Sequence, residues 1–539
     1  MLNVRRNRTL GIRRHSATGA EEEVVKKIDI QKDSYHDSVF LMLVNKEAKG
    51  FEGVNDAVVS MGTPMNLEIL ENLNFDVKDV TPNDLIIAVD AESEDAAEKA
   101  IEAAHEMIRN KAAASESEGE YNPASLGGAL QQIPDANMVI ISVPGEYAAE
   151  EVRKALNKDL HVMLFSDNVP IEDEIELKKT AREKGLLMMG PDCGTAIING
   201  KPLCFANVVK RGPIGMVAAS GTGLQEVSCV IDERGSGLTQ AVGTGGRDLK
   251  DERIGGAMMI TGIEALRDDE DTKVITVVSK PPAEAVADNV IKALEATGKP
   301  CVIHFIGLTG QKDRGNLHFA DNLEEAAGMA VALAEGKEYT PTTFTIPESE
   351  VKSIVERETK EMSSDQKYLR GLYTGGTLAD EAVILLNDEL GGIMSFDSKD
   401  PNLVLKDPHV SEKHTVVDLG EDVFTVGRPH PMIDPSTREE RLRKEADDPE
   451  VAVVLMDIVL GYGSHEDPAG AMVDAVREAK EKAKKRGGYL PVIASITGTA
   501  GDPQDLGKSR KTLENAGVVV MPSNFQASKL ALEIMKTRR

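Results

Sequence analysis

Two short stretches of this chain have the residue types of an anion site. Ser220-Gly221-Thr222-Gly223 closes the apolar run Ile214–Ser220, and Thr374-Gly375-Gly376-Thr377 closes Tyr368–Thr374. Each opens an amphipathic segment, marked by Leu224, Val227 and Ile231 in the first and by Leu378, Ala382 and Leu385 in the second. A Gly-rich strand-to-helix turn points backbone N–H groups at an anion, and the helix start adds about half a positive charge. Two such turns suit one phosphate-sized ligand gripped by two half-sites, with Ser220, Gly221, Thr222, Gly223, Gly375, Gly376 and Thr377 as its phosphate-binding residues. The alternative is a pair of ordinary tight turns. A Val at Gly221 or Gly376 would add a branched Cβ where backbone approaches the anion, at positions expected to use a positive φ.

Further polar groups fall at other strand ends. Gly243-Thr244-Gly245-Gly246-Arg247 and Val426-Gly427-Arg428 are equivalent in order, so Arg247 and Arg428 are candidates to hold a carboxylate or phosphate in a bidentate fork. Gly245 and Gly246 are candidate substrate contacts beside Arg247. The densest constellation is Gly427-Arg428-Pro429-His430-Pro431-Met432-Ile433-Asp434-Pro435, with Arg438 one turn beyond. Three prolines stiffen it. His430 suits proton transfer to a leaving nitrogen or oxygen, with Asp434 and Arg438 as substrate contacts. The other reading makes Pro-His-Pro a turn and Asp434 a helix cap. Lys280, in Lys280-Pro281-Pro282, is a weaker candidate for an anion contact.

Several signals fail. Gly501–Ser509 has five residues between its glycines where a P-loop has four, and a helix is expected to begin before Gly507. Ser220 is not in a G-x-S-x-G elbow, and Gly243–Asp248 lacks the third glycine of a dinucleotide fingerprint. No Cys or His spacing supports a zinc site, so no metal is expected.

These residues need elements to position them. Solid apolar runs alternate with 10–15-residue helical segments along most of the chain, the pattern of parallel sheets covered on both faces. The order of elements after Ser220 recurs after Thr374, an internal repeat. Thr340–Asp365 is rich in Thr, Pro, Ser and Glu and reads as a linker, and Ala112–Asn122 as another. Five Arg and no acid precede the run Glu21–Glu23, which reads as a disordered tail or an over-extended start. With 539 residues, several domains are expected. A net charge of −28 excludes nucleic acid and anionic membrane as main partners, and the absence of Trp argues against base-stacking platforms. Four scattered Cys point to a reduced, cytoplasmic protein.

From about Ile133 to Met535 the chain resembles the FdrA family and, behind it, the succinyl-CoA synthetases. Gly190-Pro191-Asp192-Cys193-Gly194, Ala219–Gly223 and Gly243–Gly246 are similar to turns of the synthetase α-subunit, and residues 368–535 to the ligase domain of the β-subunit. The resemblance implies a multidomain α/β protein: a Rossmann-like CoA-binding-type domain followed by two flavodoxin-like succinyl-CoA-ligase-type domains, with a small amino-terminal α/β domain. The boundaries expected are a tail over 1–23, the amino-terminal domain over 24–118, the CoA-binding-type domain over 119–210, ligase-like domains over 211–339 and 368–539, and a linker over 340–367. The chain departs from the synthetases at Gly315–Ala320, where His318 lacks the glycine setting of their phosphohistidine, and it has no ATP-grasp domain. Met61-Gly62-Thr63-Pro64 is the candidate for the Gly-rich start of a CoA-binding domain. FdrA-like proteins also serve in oxamate carbamoyltransferase, with two companion proteins, in anaerobic allantoin or ureide breakdown. The resemblance therefore implies conversion of oxalurate and phosphate to oxamate and carbamoyl phosphate, with no required cofactor. The alternatives are an acyl-CoA synthetase using CoA, or a non-catalytic CoA-binding scaffold.

Overall fold

The computed structural model describes residues 6–15, 21–32, 34, 36, 38–73, 75, 77–117, 123, 125–425 and 428–538. They fall into two compact units, one of residues 1–124 with 426–429 and one of residues 125–425 with 430–539.

The amino-terminal unit runs β1 (Arg6–His15), β2 (Glu21–Gln31), α1 (Ser38–Lys49), β3 (Val54–Met61), α2 (Pro64–Asn72), β4 (Leu85–Ala91) and α3 (Glu94–Ser117). Its antiparallel sheet has the order β1-β2-β4-β3. The solid run Leu85-Ile86-Ile87-Ala88-Val89 lets β4 be buried on both faces: Leu85, Ile87 and Val89 pack with Leu41, Val44 and Ile101, and Ile86 and Ala88 with Ile28, Leu70 and Phe75. Three expectations are corrected. Where a disordered tail was expected, residues 6–15 form a strand, paired antiparallel with β2 from Arg6 opposite Ile30 to His15 opposite Glu21. Residues 1–5 and 16–20 lie outside the described residues. The Ala-rich start of the expected 112–122 linker continues α3 to Ser117, as its helix propensity favours, while 118–122 lie outside the described residues. Met61-Gly62-Thr63-Pro64 is not the start of a CoA-binding domain. It ends β3, Thr63 caps α2 by accepting from Asn66 N, and a Cβ on Gly62 would strike Val80.

The larger unit starts with α4 (Leu126–Gln132) and a parallel sheet of β5 (Met138–Ile141), β6 (His161–Leu164) and β7 (Met188–Met189), interleaved with α5 (Gly145–Leu156) and α6 (Ile171–Glu183). A hairpin unmarked in the sequence follows, β8 (Thr195–Ile198) and β9 (Lys201–Cys204). It joins the next sheet rather than its own domain, since β8 pairs antiparallel with β11 (Leu238–Gly243). That sheet also holds β10 (Arg211–Ala219), β12 (Val274–Ser279), β13 (Cys301–Phe305) and β14 (Leu317–Phe319), in the order β14-β13-β12-β10-β11-β8-β9. Its helices are α7 (Gly221–Glu233), α8 (Ala257–Asp268), α9 (Glu284–Glu295) and α10 (Leu323–Ala334). The expected linker contains α11 (Glu348–Thr359), whose Val351 and Ile354 are buried. The second repeat has the parallel order β16-β15-β17-β18-β19, from β15 (Tyr368–Tyr373), β16 (Thr415–Asp418), β17 (Val451–Val459), β18 (Val492–Thr497) and β19 (Val519–Met521). Its helices are α12 (Gly376–Leu390), α13 (Asp422–Thr425), α14 (Ser436–Glu445), α15 (Pro468–Lys485), α16 (Leu506–Asn515) and α17 (Asn524–Lys536).

One hydrophobic core spans both repeats. Leu224, Val227 and Ile231 of α7 share it with Ala326 and Ala330 of α10, Leu378 and Ala382 of α12, and Leu530 and Ile534 of α17. Two buried acids cross this seam in opposite directions. Glu226, on α7, accepts from Asn524 N at the start of α17 (2.9 Å) and from Thr497 Oγ1. Glu381, on α12, accepts from Leu323 N at the start of α10 (2.8 Å) and from Asn524 Nδ2 (2.8 Å). Each repeat thus supplies a carboxylate to a helix start of the other, where N–H groups lack intrahelical acceptors.

Candidate functional site

The two turns meet. Both lie at the carboxyl ends of parallel strands, where open α/β sheets place ligands. Ser220 is extended and caps α7, its Oγ accepting from Gly223 N at 3.0 Å. The same Oγ shares a 2.6 Å hydrogen bond with Thr377 Oγ1 in the first turn of α12. The packing is reciprocal: a Cβ on Gly223 would sit 2.9 Å from Thr377 Cγ2, and one on Gly375 2.8 Å from Thr222 Cγ2. All seven expected phosphate-binding residues are therefore brought together. None of their glycines has a positive φ, which corrects the expectation for Gly221 and Gly376; room is what restricts Gly223, Gly375 and Gly376, whereas a Cβ on Gly221 would meet only Thr195 Oγ1, at 3.4 Å.

The second turn already holds an anion, and it belongs to the protein. Asp457, inside the otherwise apolar β17 and fully buried, accepts from Thr374 N (2.9 Å), Thr374 Oγ1 (3.0 Å) and Gly375 N (2.8 Å). Arg438, expected to contact substrate, instead donates to Asp457 Oδ1 at 3.0 Å and to its carbonyl. Burial lowers the Arg438 pKa against the pull of Asp457. The amides left for a ligand at this end are those at the start of α12 itself, Gly376 and Thr377.

Two groups converge on Gly376. A Cβ there would run into Asp418 Oδ2 and lie 3.2 Å from Lys280 Nζ. Lys280 comes from the end of β12 in the first repeat and Asp418 from the end of β16 in the second. The Lys280 ammonium pairs with Asp380 at 3.0 Å, and its side chain is 25% exposed. Burial works against its charge, but Asp380 and Asp418 outweigh that and hold its pKa above the usual lysine value. Asp418 Oδ1 accepts from Gly420 N at 2.8 Å. Burial pushes the Asp418 carboxyl up to about 7, opposed by that amide and Lys280 and reinforced by Glu421 and Asp457. This sets a pH dependence. Below that value Asp418 is neutral while Lys280 stays charged; above it, a negative charge appears beside the anion site. Sulfate, whose own charge is constant here, should therefore bind more weakly at pH 8 than at pH 6, by up to about tenfold, the limit that titration of one carboxyl near pH 7 sets. Calorimetric titration at the two pH values checks this, and an affinity independent of pH would remove Asp418 from the site.

Other expected residues are placed elsewhere. Arg247 spends its fork on the protein: Nε pairs with buried Glu174 at 2.8 Å and Nη2 donates to the Val169 carbonyl. Gly245, with φ of +81°, presses its backbone on Pro191, and Gly246 has no neighbour within 4 Å of a Cβ position, so neither forms part of the paired turns. Asp434 Oδ1 accepts from Ser436 N, the first residue of α14, at 3.1 Å, from the position before the cap residue Pro435. Arg428 is exposed and groups with the amino-terminal unit; Val426 and Gly427 beside it lie outside the described residues. His430 does approach the site: its Nε2 lies where a Cβ on Gly420 would fall, and its ring is 6.1 Å from that of Phe205. Its Nδ1 accepts from Met432 N at 3.2 Å, and burial lowers its pKa to about 4. Burial thus favours the uncharged ring, which lies against the Asp418–Gly420 turn. His318 pairs with Asp313 at 2.8 Å on the edge strand β14. In the false P-loop, α16 begins at Leu506, before Gly507. Sequence reasoning missed Asp418 and Asp457, although a lone acid in Val451-Ala452-Val453-Val454-Leu455-Met456-Asp457-Ile458-Val459 was a readable signal.

The comparisons with known proteins follow this division of the chain. Residues 372–534 match the CoA-ligase family model, 209–307 the CoA binding domain, and 24–123 the heavy metal-associated domain of AllF. The residues present do not fit a soft metal: positions 24–123 contain no Cys, and among the described residues no group of three or more His, Cys, Asp or Glu could hold an ion. No helix among the described residues is long and apolar enough to cross a membrane. The α-2 subunit of the ADP-forming succinate–CoA ligase of Archaeoglobus fulgidus is 28% identical over 202 residues, 36% of this chain and 68% of that one. The apo dinucleotide-forming acetyl-coenzyme A synthetase 1 of Ca. Korarchaeum cryptofilum is 16% identical, over 75% of this chain and 83% of that one, with a TM-score of 0.31. The uncharacterised protein YahF of Escherichia coli K12 is 45% identical over 514 residues, 94% of this chain and 98% of YahF. The chain belongs to the YahF family, an FdrA-like family that joins an AllF-type amino-terminal domain to CoA-binding and CoA-ligase domains.

Proposed function

We propose that the chain is the phosphate-handling subunit of a carbamoyltransferase that converts oxalurate and phosphate to oxamate and carbamoyl phosphate, working with two companion proteins. The observation that carries the reading is the 2.6 Å contact of Ser220 with Thr377, which joins two helix starts beside Lys280. Amides at the starts of α7 and α12 and the Lys280 ammonium hold phosphate. A phosphate oxygen attacks the ureido carbon, the bond from that carbon to the oxamate nitrogen breaks, and the proton given up by hydrogen phosphate passes to the departing nitrogen. The same amides suit the charge that develops on the carbonyl oxygen of the attacked carbon.

A second reading, acid–thiol ligation with CoA, is favoured by the CoA-ligase and CoA-binding matches. One experiment separates the two. Oxalurate and phosphate, with the chain and candidate companions but no CoA or ATP, should yield carbamoyl phosphate by phosphorus NMR. Thioester formation from ATP and CoA by the chain, with no phosphorolysis in any mixture, would overturn the proposal in favour of the second reading.

A further inference from the structure

We propose that Lys280 and Asp418 make the anion site selective for a ligand whose carbonyl carries an N–H group, a carbamoyl or ureido compound rather than a plain acyl one; this rests on the anion-site reading above. The two side chains arrive from different repeats and converge on Gly376, which has no side chain to fill the space. They are complementary in kind. The ammonium only donates and suits a carbonyl or phosphate oxygen. The carboxylate accepts, and with Oδ1 taken by Gly420 N, it is Oδ2 that reaches the Gly376 position. The Lys280 side chain is 25% exposed and Asp418 is a half-buried residue, which gives a ligand its approach from the Lys280 side. Asp457, the other acid at this helix start, is saturated by the turn and Arg438, which leaves the recognition to Asp418.

A methyl or methylene group against Oδ2 would strip its water and return no hydrogen bond. A site built to accept from an N–H group rejects the analogue that lacks it for this reason. The amide of a carbamoyl group has the donor in the needed place, one bond from the carbonyl carbon. Acetyl and succinyl groups have carbon there.

Phosphonoacetamide and 2-oxopropylphosphonate differ only in NH2 against CH3 and are stable in water. Titrated into the full chain at pH 8, where Asp418 is ionised, the amide should bind about tenfold or more tightly than the ketone. Asp418→Asn keeps the shape but turns a donor toward the ligand, and should erase the preference. Lys280→Met should weaken both probes together. Melting temperatures of all variants establish that they fold. Equal binding of the two probes by the wild type, or a preference that survives Asp418→Asn, overturns the selectivity while leaving the anion site in place. If the wild type binds neither probe nor sulfate, the anion-site reading falls and this inference with it.

Discussion

Replacing Asp457 with Ala is expected to destabilise the second repeat by about 3–5 kcal/mol, the scale for removing one partner of a buried ion pair. Asp457 is fully buried, and four donor groups depend on it: Thr374 N, Thr374 Oγ1, Gly375 N and the Arg438 guanidinium. Its loss strands a cation that is itself only 2% exposed and unpairs two turn amides. Most of the cost comes from the stranded charge. Arg438→Met combined with Asp457→Ala should therefore be less damaging than Asp457→Ala alone. Urea unfolding of the two single variants and the double variant measures this. A single Asp457→Ala within about 1 kcal/mol of wild type would mean that water or another residue takes over the turn.

Gly376→Ala is expected to cost about tenfold or more in sulfate affinity, against less than about twofold for Gly221→Ala, although the two glycines open equivalent helices. The difference is room. The Gly376 methyl would collide with Asp418 Oδ2 and crowd Lys280 Nζ, so the two groups beside the anion site must move. At Gly221 the nearest atom is Thr195 Oγ1 at 3.4 Å, ordinary contact, and Ala in a helix is favoured over Gly by up to about 1 kcal/mol. Sulfate titration with matched thermal melts distinguishes a local loss of binding from unfolding. Equal effects at the two positions would count against a ligand at the α12 start.

The parts of this site that were legible in the sequence are those written locally. A strand that runs into Ser-Gly-Thr-Gly or Thr-Gly-Gly-Thr and then an amphipathic segment declares its own turn, and the recurrence of the element order declared the repeat. What the second turn binds was not legible, because its anion lies 83 positions downstream in β17. Arg438 and His430 had the right chemistry for substrate, but burial decided otherwise: one neutralises Asp457, and the other is too deeply placed to carry charge at neutral pH. Lys280 drew little weight because a Lys before two prolines is common; only the packing of the two repeats brings it to Gly376. The β8–β9 hairpin escaped notice because it completes a neighbouring sheet, which depends on contacts far along the chain.

The exchange of Glu226 and Glu381 between the repeats bears on the order in which the protein can be made. A ribosome releases the first repeat well before the second. At that moment Glu226 has no α17 to receive it, since Asn524 lies 298 positions further on, and Leu323 N has no Glu381. The nascent first repeat therefore carries a carboxylate bound for burial and an open helix start on the face that becomes the shared core. It stays wet and unfinished there until α12 and then α17 emerge. The two repeats are thus expected to complete their shared core together, with the segment around α11 holding each half close to its partner.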